Sequence, residues 1–129
     1  MPKTWYLEGN IINAALRGIP YTPPTNSYVA LYTSSPTPAG GGVEVSSSGT
    51  GYGRQIVTWN APVNGQTQSA ADVIFLPATS LWGTVTSFGL VDSNIGGNVL
   101  YYANLNAPIL VNLMDQLRFP AGMFVLLES

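Results

Sequence analysis

The sequence predicts a mainly β chain: one antiparallel sandwich or jelly-roll-like domain with an N-terminal α-helix and a long Gly/Ser/Pro-rich loop. Three observations predict it. Short apolar runs rich in β-branched and aromatic residues recur along the chain, bounded by Gly, Pro, Asn or Ser. Only one segment carries a helical period. At 129 residues, the chain fits one core, and residues 1–129 read as one domain without internal repeats.

The helix is expected over residues 4–17. Thr4 can cap it, Glu8 lies near its positive N-terminal end, and Arg17 falls in its last turn. Gly18 supplies a C-terminal stop and Pro20 forbids continuation. Leu7, Ile11, Ala14 or Ala15 and Leu16 form a stripe that must dock on a sheet or on a neighbouring subunit. Trp5 and Tyr6 stand ahead of it as anchors.

Strands are expected at 28–33, 54–59, 71–76, 85–92, 99–105, 109–112, 116–119 and 123–128. Alternation is clear where Ile56 and Thr58 oppose Val57 and Trp59. The run Phe124-Val125-Leu126-Leu127 is apolar on both faces, which suggests cover on both sides. Ile95-Gly96-Gly97-Asn98 reads as a hairpin turn. Eight short strands without helices between them suggest a sandwich or jelly roll.

Residues 34–53 hold almost no large apolar side chain, and a connection this long is uncommon inside a compact domain. Two readings stand. One is a mobile surface loop; the other is an arm that orders only across a neighbour, with Val43, Val45 and Tyr52 as contacts.

Charge excludes several functions. The chain is 46% hydrophobic but only 8% charged, with net charge −2. Lys3, Arg17, Arg54 and Arg118 are dispersed and form no basic stripe, so nucleic acid and anionic membrane surfaces are not expected partners. A surface this poor in charge repels its own copies weakly, as suits a protein in an assembly. Without an apolar signal core at the N-terminus, the expectation is synthesis in a cytoplasm without export.

There is no His and no Cys. Ser-His-Asp and Cys-His catalysis and the usual zinc sites are thereby excluded. The six acids, Glu8, Glu44, Asp72, Asp92, Asp115 and Glu128, are scattered, as turn residues are. The expectation is a protein that is not an enzyme and binds no cofactor or metal. Asp92-Ser93-Asn94 reads as a turn rather than a calcium loop, and no Lys-Ser/Thr follows Gly40-Gly41-Gly42 as a phosphate loop requires. Trp59, Trp82, Phe75 and Phe88 are expected in the core. Tyr21, Tyr28, Tyr52 and Tyr102 join Trp5, Tyr6, Val43 and Val45 as assembly-interface candidates. Arg54 is expected in a structural ion pair with Glu44 or Asp92.

Several ordered blocks resemble a known family: Tyr28–Pro36, Gly40–Ser46, Gly51–Gln55, Phe75–Thr79, Trp82–Gly89, Gly96–Tyr102 and Arg118–Gly122. Together with Leu7-Glu8, Ile11-Ile12 and Leu16-Arg17-Gly18 they resemble small bacteriophage virion proteins over nearly the whole chain. Gly53 stands between Tyr52 and Arg54 where the family pattern has Ala. The resemblance implies a virion location, either as a capsid decoration (cement) protein or as a small tail-fibre protein. A fibre that spans distance needs a repetitive shaft, and this chain has no repeats. The physical reading therefore favours a homotrimeric cement protein bound to the major capsid protein. The alternative is a tail-fibre or baseplate component, in which exposed aromatics could meet a host glycan.

Overall fold

Strand β1 (Ser27–Ser34) organises the molecule because it pairs along both edges. The computed structural model describes residues 1–128. One edge of β1 meets β6 (Gly83–Val91), which pairs in turn with β7 (Val99–Val111). The other edge is shared: β3 (Gln55–Val57) covers Ser27 to Val29, while β2 (Val43–Glu44) covers Tyr32 and Ser34. All these pairings are antiparallel, giving a five-stranded sheet. Two ribbons complete the β structure: β4 (Gln66–Gln68) with β9 (Val125–Leu127), and β5 (Val73–Ile74) with β8 (Arg118–Phe119). The mainly β, antiparallel expectation holds. A jelly roll would divide eight strands between two sheets, whereas here the second layer is two separate ribbons.

Alternation along β1 sends Val29 and Leu31 to one face and Ala30 and Tyr32 to the other. The first face, joined by Val85, Phe88, Leu90 and Val111, meets Val73, Phe75, Phe119 and Phe124 from the ribbons and their flanks. Aromatic rings run through this core. Tyr52 meets Trp82 edge-on at 5.4 Å, Phe75 meets Phe119 at 6.1 Å, and Phe124 lies 5.1 Å from Phe119 and 4.8 Å from Phe88. Such contacts add specificity to the area they remove from water. On the opposite face Tyr32 lies across Gly89, where a Cβ would come within 2.9 Å of its ring. A side chain at residue 89 would therefore force the buried Tyr32 ring to shift.

Strand β7 unites the two strands expected at 99–105 and 109–112. The ladder passes from Ser87↔Asn104 to Val85↔Ile109, so β7 carries three more residues than β6 across that step. Pro108 lies in this bulge, where its missing N–H leaves no ladder bond unmade. The hairpin expected at 95–98 joins β6 to β7. Gly97 has φ +72°, and a Cβ there would collide with Asp92.

The helix α1 (Trp5–Leu16) matches the expected segment to within a residue at each end. Thr4 is buried and caps it, accepting from the Leu7 amide while its hydroxyl donates to the Val99 carbonyl at 2.6 Å. Ahead of it, Lys3 bridges Tyr101, and the Thr4 amide donates to Leu100 at 3.0 Å. The chain start thus extends the sheet along the β7 edge before the helix departs. No helix among the described residues is long and apolar enough to cross a membrane.

In this structure segment 34–53 lies against the domain that carries it: β2 pairs with β1, Val45 and Tyr52 enter the core, and Thr37 and Gly40 exchange backbone hydrogen bonds at 2.8 Å.

Candidate assembly surface

Between β2 and β3, the β1 edge has a gap at Leu31. Its carbonyl accepts from the Val45 amide at 3.0 Å, but neither strand offers an acceptor to its N–H. The Tyr52 hydroxyl fills the gap, accepting from the Leu31 amide at 3.0 Å and donating to Glu44 Oε2 at 2.5 Å. Burial, followed by the Glu44 hydrogen bond, pushes the Tyr52 phenol far above its ordinary value.

Glu44 is also gripped by Arg54. Nε and Nη2 of Arg54 donate to the two carboxylate oxygens at 2.9 Å each, the bidentate geometry that suits guanidinium to carboxylate. Nη1 donates to the Ser93 and Gly96 carbonyls, both at 2.7 Å. Arg54 therefore pins segment 34–53 and the β6–β7 hairpin loop together. The Glu44 hydrogen bond is the largest influence holding its guanidinium above its ordinary value. Asp92 does not join the pair, because its carboxylate caps the loop instead, accepting from the Asn98 amide at 2.7 Å and side chain at 3.2 Å. A shallow cleft of about 360 Å³ opens beside Glu44 and Arg54, toward Asn94 and Ile95. Four of the five Arg54 N–H groups are already committed internally, so this cleft offers little free polar chemistry.

The interface candidates separate into three groups. Trp5 and Tyr6 on α1, and Val43 on β2, are exposed. Tyr21, Tyr28 and Tyr102 are partly buried, Tyr28 packing against Ala30 and Tyr32. Val45 and Tyr52 are corrected from interface to core, because the polar latch at Glu44 and Arg54 draws the segment inward and closes the aromatic cluster around Tyr52. The helical stripe is corrected as well. Leu7 alone is buried on the domain, whereas Leu16 lies on the opposite side of α1 and is 81% exposed. Composition did not single out Ile12 on the helix or Ile19 just after it, both of which are exposed. Their spacing from Trp5 was the available signal.

Further apolar side chains stand out at the turn after β7. Leu113 and Met114 are exposed, and Met114 holds φ +76°, an unfavourable angle for a side chain of that kind. Among the described residues, no group of three or more Asp and Glu side chains is arranged to hold a metal ion.

The chain is thus a β-rich domain that exposes apolar side chains on α1 and at Leu113–Met114 and uses Arg54, Asp92 and Arg118 to hold its own loops. The chain is a member of a phage fibre family. The model of that family, described as podophage GP4 fiber I protein gp80, matches residues 2–126. Among curated proteins, none matches the chain. Membership makes the chain a virion component of the fibre type, and this weighs against the cement reading favoured from the absence of repeats.

Proposed function

We propose that the chain is a small tail-fibre or baseplate component that works as a homotrimer, acting through its surfaces and breaking no bond. The fibre-family match over residues 2–126 carries this reading. The missing shaft ceases to be an objection if the domain is one module of a fibre rather than its full length. Exposed apolar side chains on α1 and at Leu113–Met114 support a role in which neighbours cover them. In this reading the partners are other copies and other tail proteins, with neither nucleic acid nor membrane involved.

Copy number tests it. Quantitative staining of purified particles should give at most a few dozen chains per virion, and gold-labelled antibody should decorate the tail. Hundreds of copies spread over the head would instead establish the cement role on the major capsid protein. A glycan array probed with the isolated protein separates a host-receptor role from a purely architectural one.

A further inference from the structure

Helix α1 presents two faces with different partners. Leu7 faces the domain and is buried. On the opposite side, Trp5, Gly9, Ile12 and Leu16 follow one another at spacings of four, three and four residues, and the exposed Ile19 comes just after the helix, past Gly18. This alternation repeats every seven residues, the spacing of a seam that packs against another helix. Trp5 is 64% exposed, Ile12 53%, Leu16 81% and Ile19 43%. Together they offer on the order of 500 Å² of apolar surface, taking ~150–250 Å² for a large aromatic and less for each aliphatic side chain. That exceeds what scattered surface residues require and approaches the ~800 Å² per partner of a stable interface.

Gly9 adds an independent observation. Glycine within a helix is less stable than alanine, yet a Cβ at position 9 would meet nothing within 4 Å. Nothing in the chain's own fold demands glycine there. A neighbouring helix approaching closely at the middle of the seam would demand it. The seam carries no charge, since Glu8 lies beside the row and Arg17 beyond the helix end, and a net charge of −2 repels a second copy weakly.

We propose that α1 is a self-association seam, through which copies of this chain pack helix against helix around Gly9. The inference rests on reading the chain as an assembling fibre component and names the surface that assembles. Its test needs no virion, so particle copy number judges that reading while solution mass judges this one.

Sedimentation velocity of the full chain at micromolar concentration should give a defined multiple of 13.7 kDa. The double variant Ile12→Asp/Leu16→Asp should fall to the mass of one chain with its near-UV circular dichroism unchanged, while Ile95→Asp, on the hairpin loop, keeps the wild-type mass. The chain has no cysteine, so a single thiol can report on the seam even if the double variant fails to fold. Ile12→Cys should react with a maleimide roughly tenfold slower than Ile95→Cys, because burial withholds the thiolate from reagent. A wild-type chain that sediments as one copy would overturn the proposal. So would a folded double variant of unchanged mass, or equal labelling rates at the two thiols.

Discussion

Replacing Tyr52 by Phe removes one oxygen atom and keeps the ring against Phe75 and Trp82. The loss falls on the amide of Leu31, a fully buried residue at the centre of β1, which donates to that hydroxyl. Leaving a buried donor unmade costs about 1–3 kcal/mol, and a hydrogen bond to a charged group contributes about 1.5–3 kcal/mol. Glu44 keeps Arg54 in the variant, so the second contribution is only partly lost and the expected destabilisation is about 3 kcal/mol. With unfolding entropy near 2.1 cal/mol/K per residue, a chain of this length loses about 10 °C in Tm. Differential scanning calorimetry measures this directly, and hydrogen exchange at the Leu31 amide should speed up in parallel. A drop below about 3 °C with the Leu31 amide still protected would refute the reasoning, since that amide would then have another partner.

Three further outcomes follow from the same contacts. Arg54→Met should cost about 2–3 kcal/mol, because a half-buried Glu44 loses its counter-ion, and the penalty should shrink when Glu44→Gln is combined with it; urea titration of the four-member cycle measures the coupling. Stability should fall above pH 10: burial, with the Glu44 carboxylate second, pushes Tyr32 up to about 12, so the folded state retains a proton that the unfolded state releases. That contribution is complete below pH 10 and is lost between about 10 and 12, amounting to about 3 kcal/mol; urea midpoints across that range check it, and a flat profile would contradict it. Ser87→Ala should raise stability by about 1 kcal/mol, since the buried Ser87 hydroxyl has no hydrogen-bond partner, and a lower Tm in the variant would show that it has one.

Local chemistry made much of the fold legible. Thr4 and Gly18 bracket α1 because capping is a property of a few neighbouring residues, and β1 and β6 announce themselves by apolar runs that only a buried strand tolerates. The short strands were harder. Gln66-Thr67-Gln68 forms β4 despite being polar, and the available signal was the turn before it, where Asn64 (φ 53°) and Gly65 (φ 74°) take the left-handed angles of a two-residue hairpin. Val43-Glu44 gave no such warning, since its place on β1 is fixed by Tyr52 and Arg54, residues whose reach no local window contains. The Arg54–Glu44 pair was legible because few cations were available to choose from. Choosing between Glu44 and Asp92 required knowing that Asp92 is occupied by its own loop.

The same distinction bears on how the chain assembles. Segment 34–53 looked like an arm because it is poor in apolar residues, and it is the part whose polar groups turn out to be spent inside the domain. Removing residues 36–50 would take Glu44, Val45 and Thr50 with it, orphan Arg54, and strip Trp82 Nε1 of the Thr50 carbonyl it donates to at 2.8 Å. Such a deletion would unfold the domain before it reported on any partner. Helix α1 is the reverse case: it is rich in apolar residues, yet it buries only Leu7 on its own chain. Burial of apolar area is the dominant drive to association, so the surface left wet by folding, rather than the segment that looks unstructured in sequence, is where a neighbour gains most by binding.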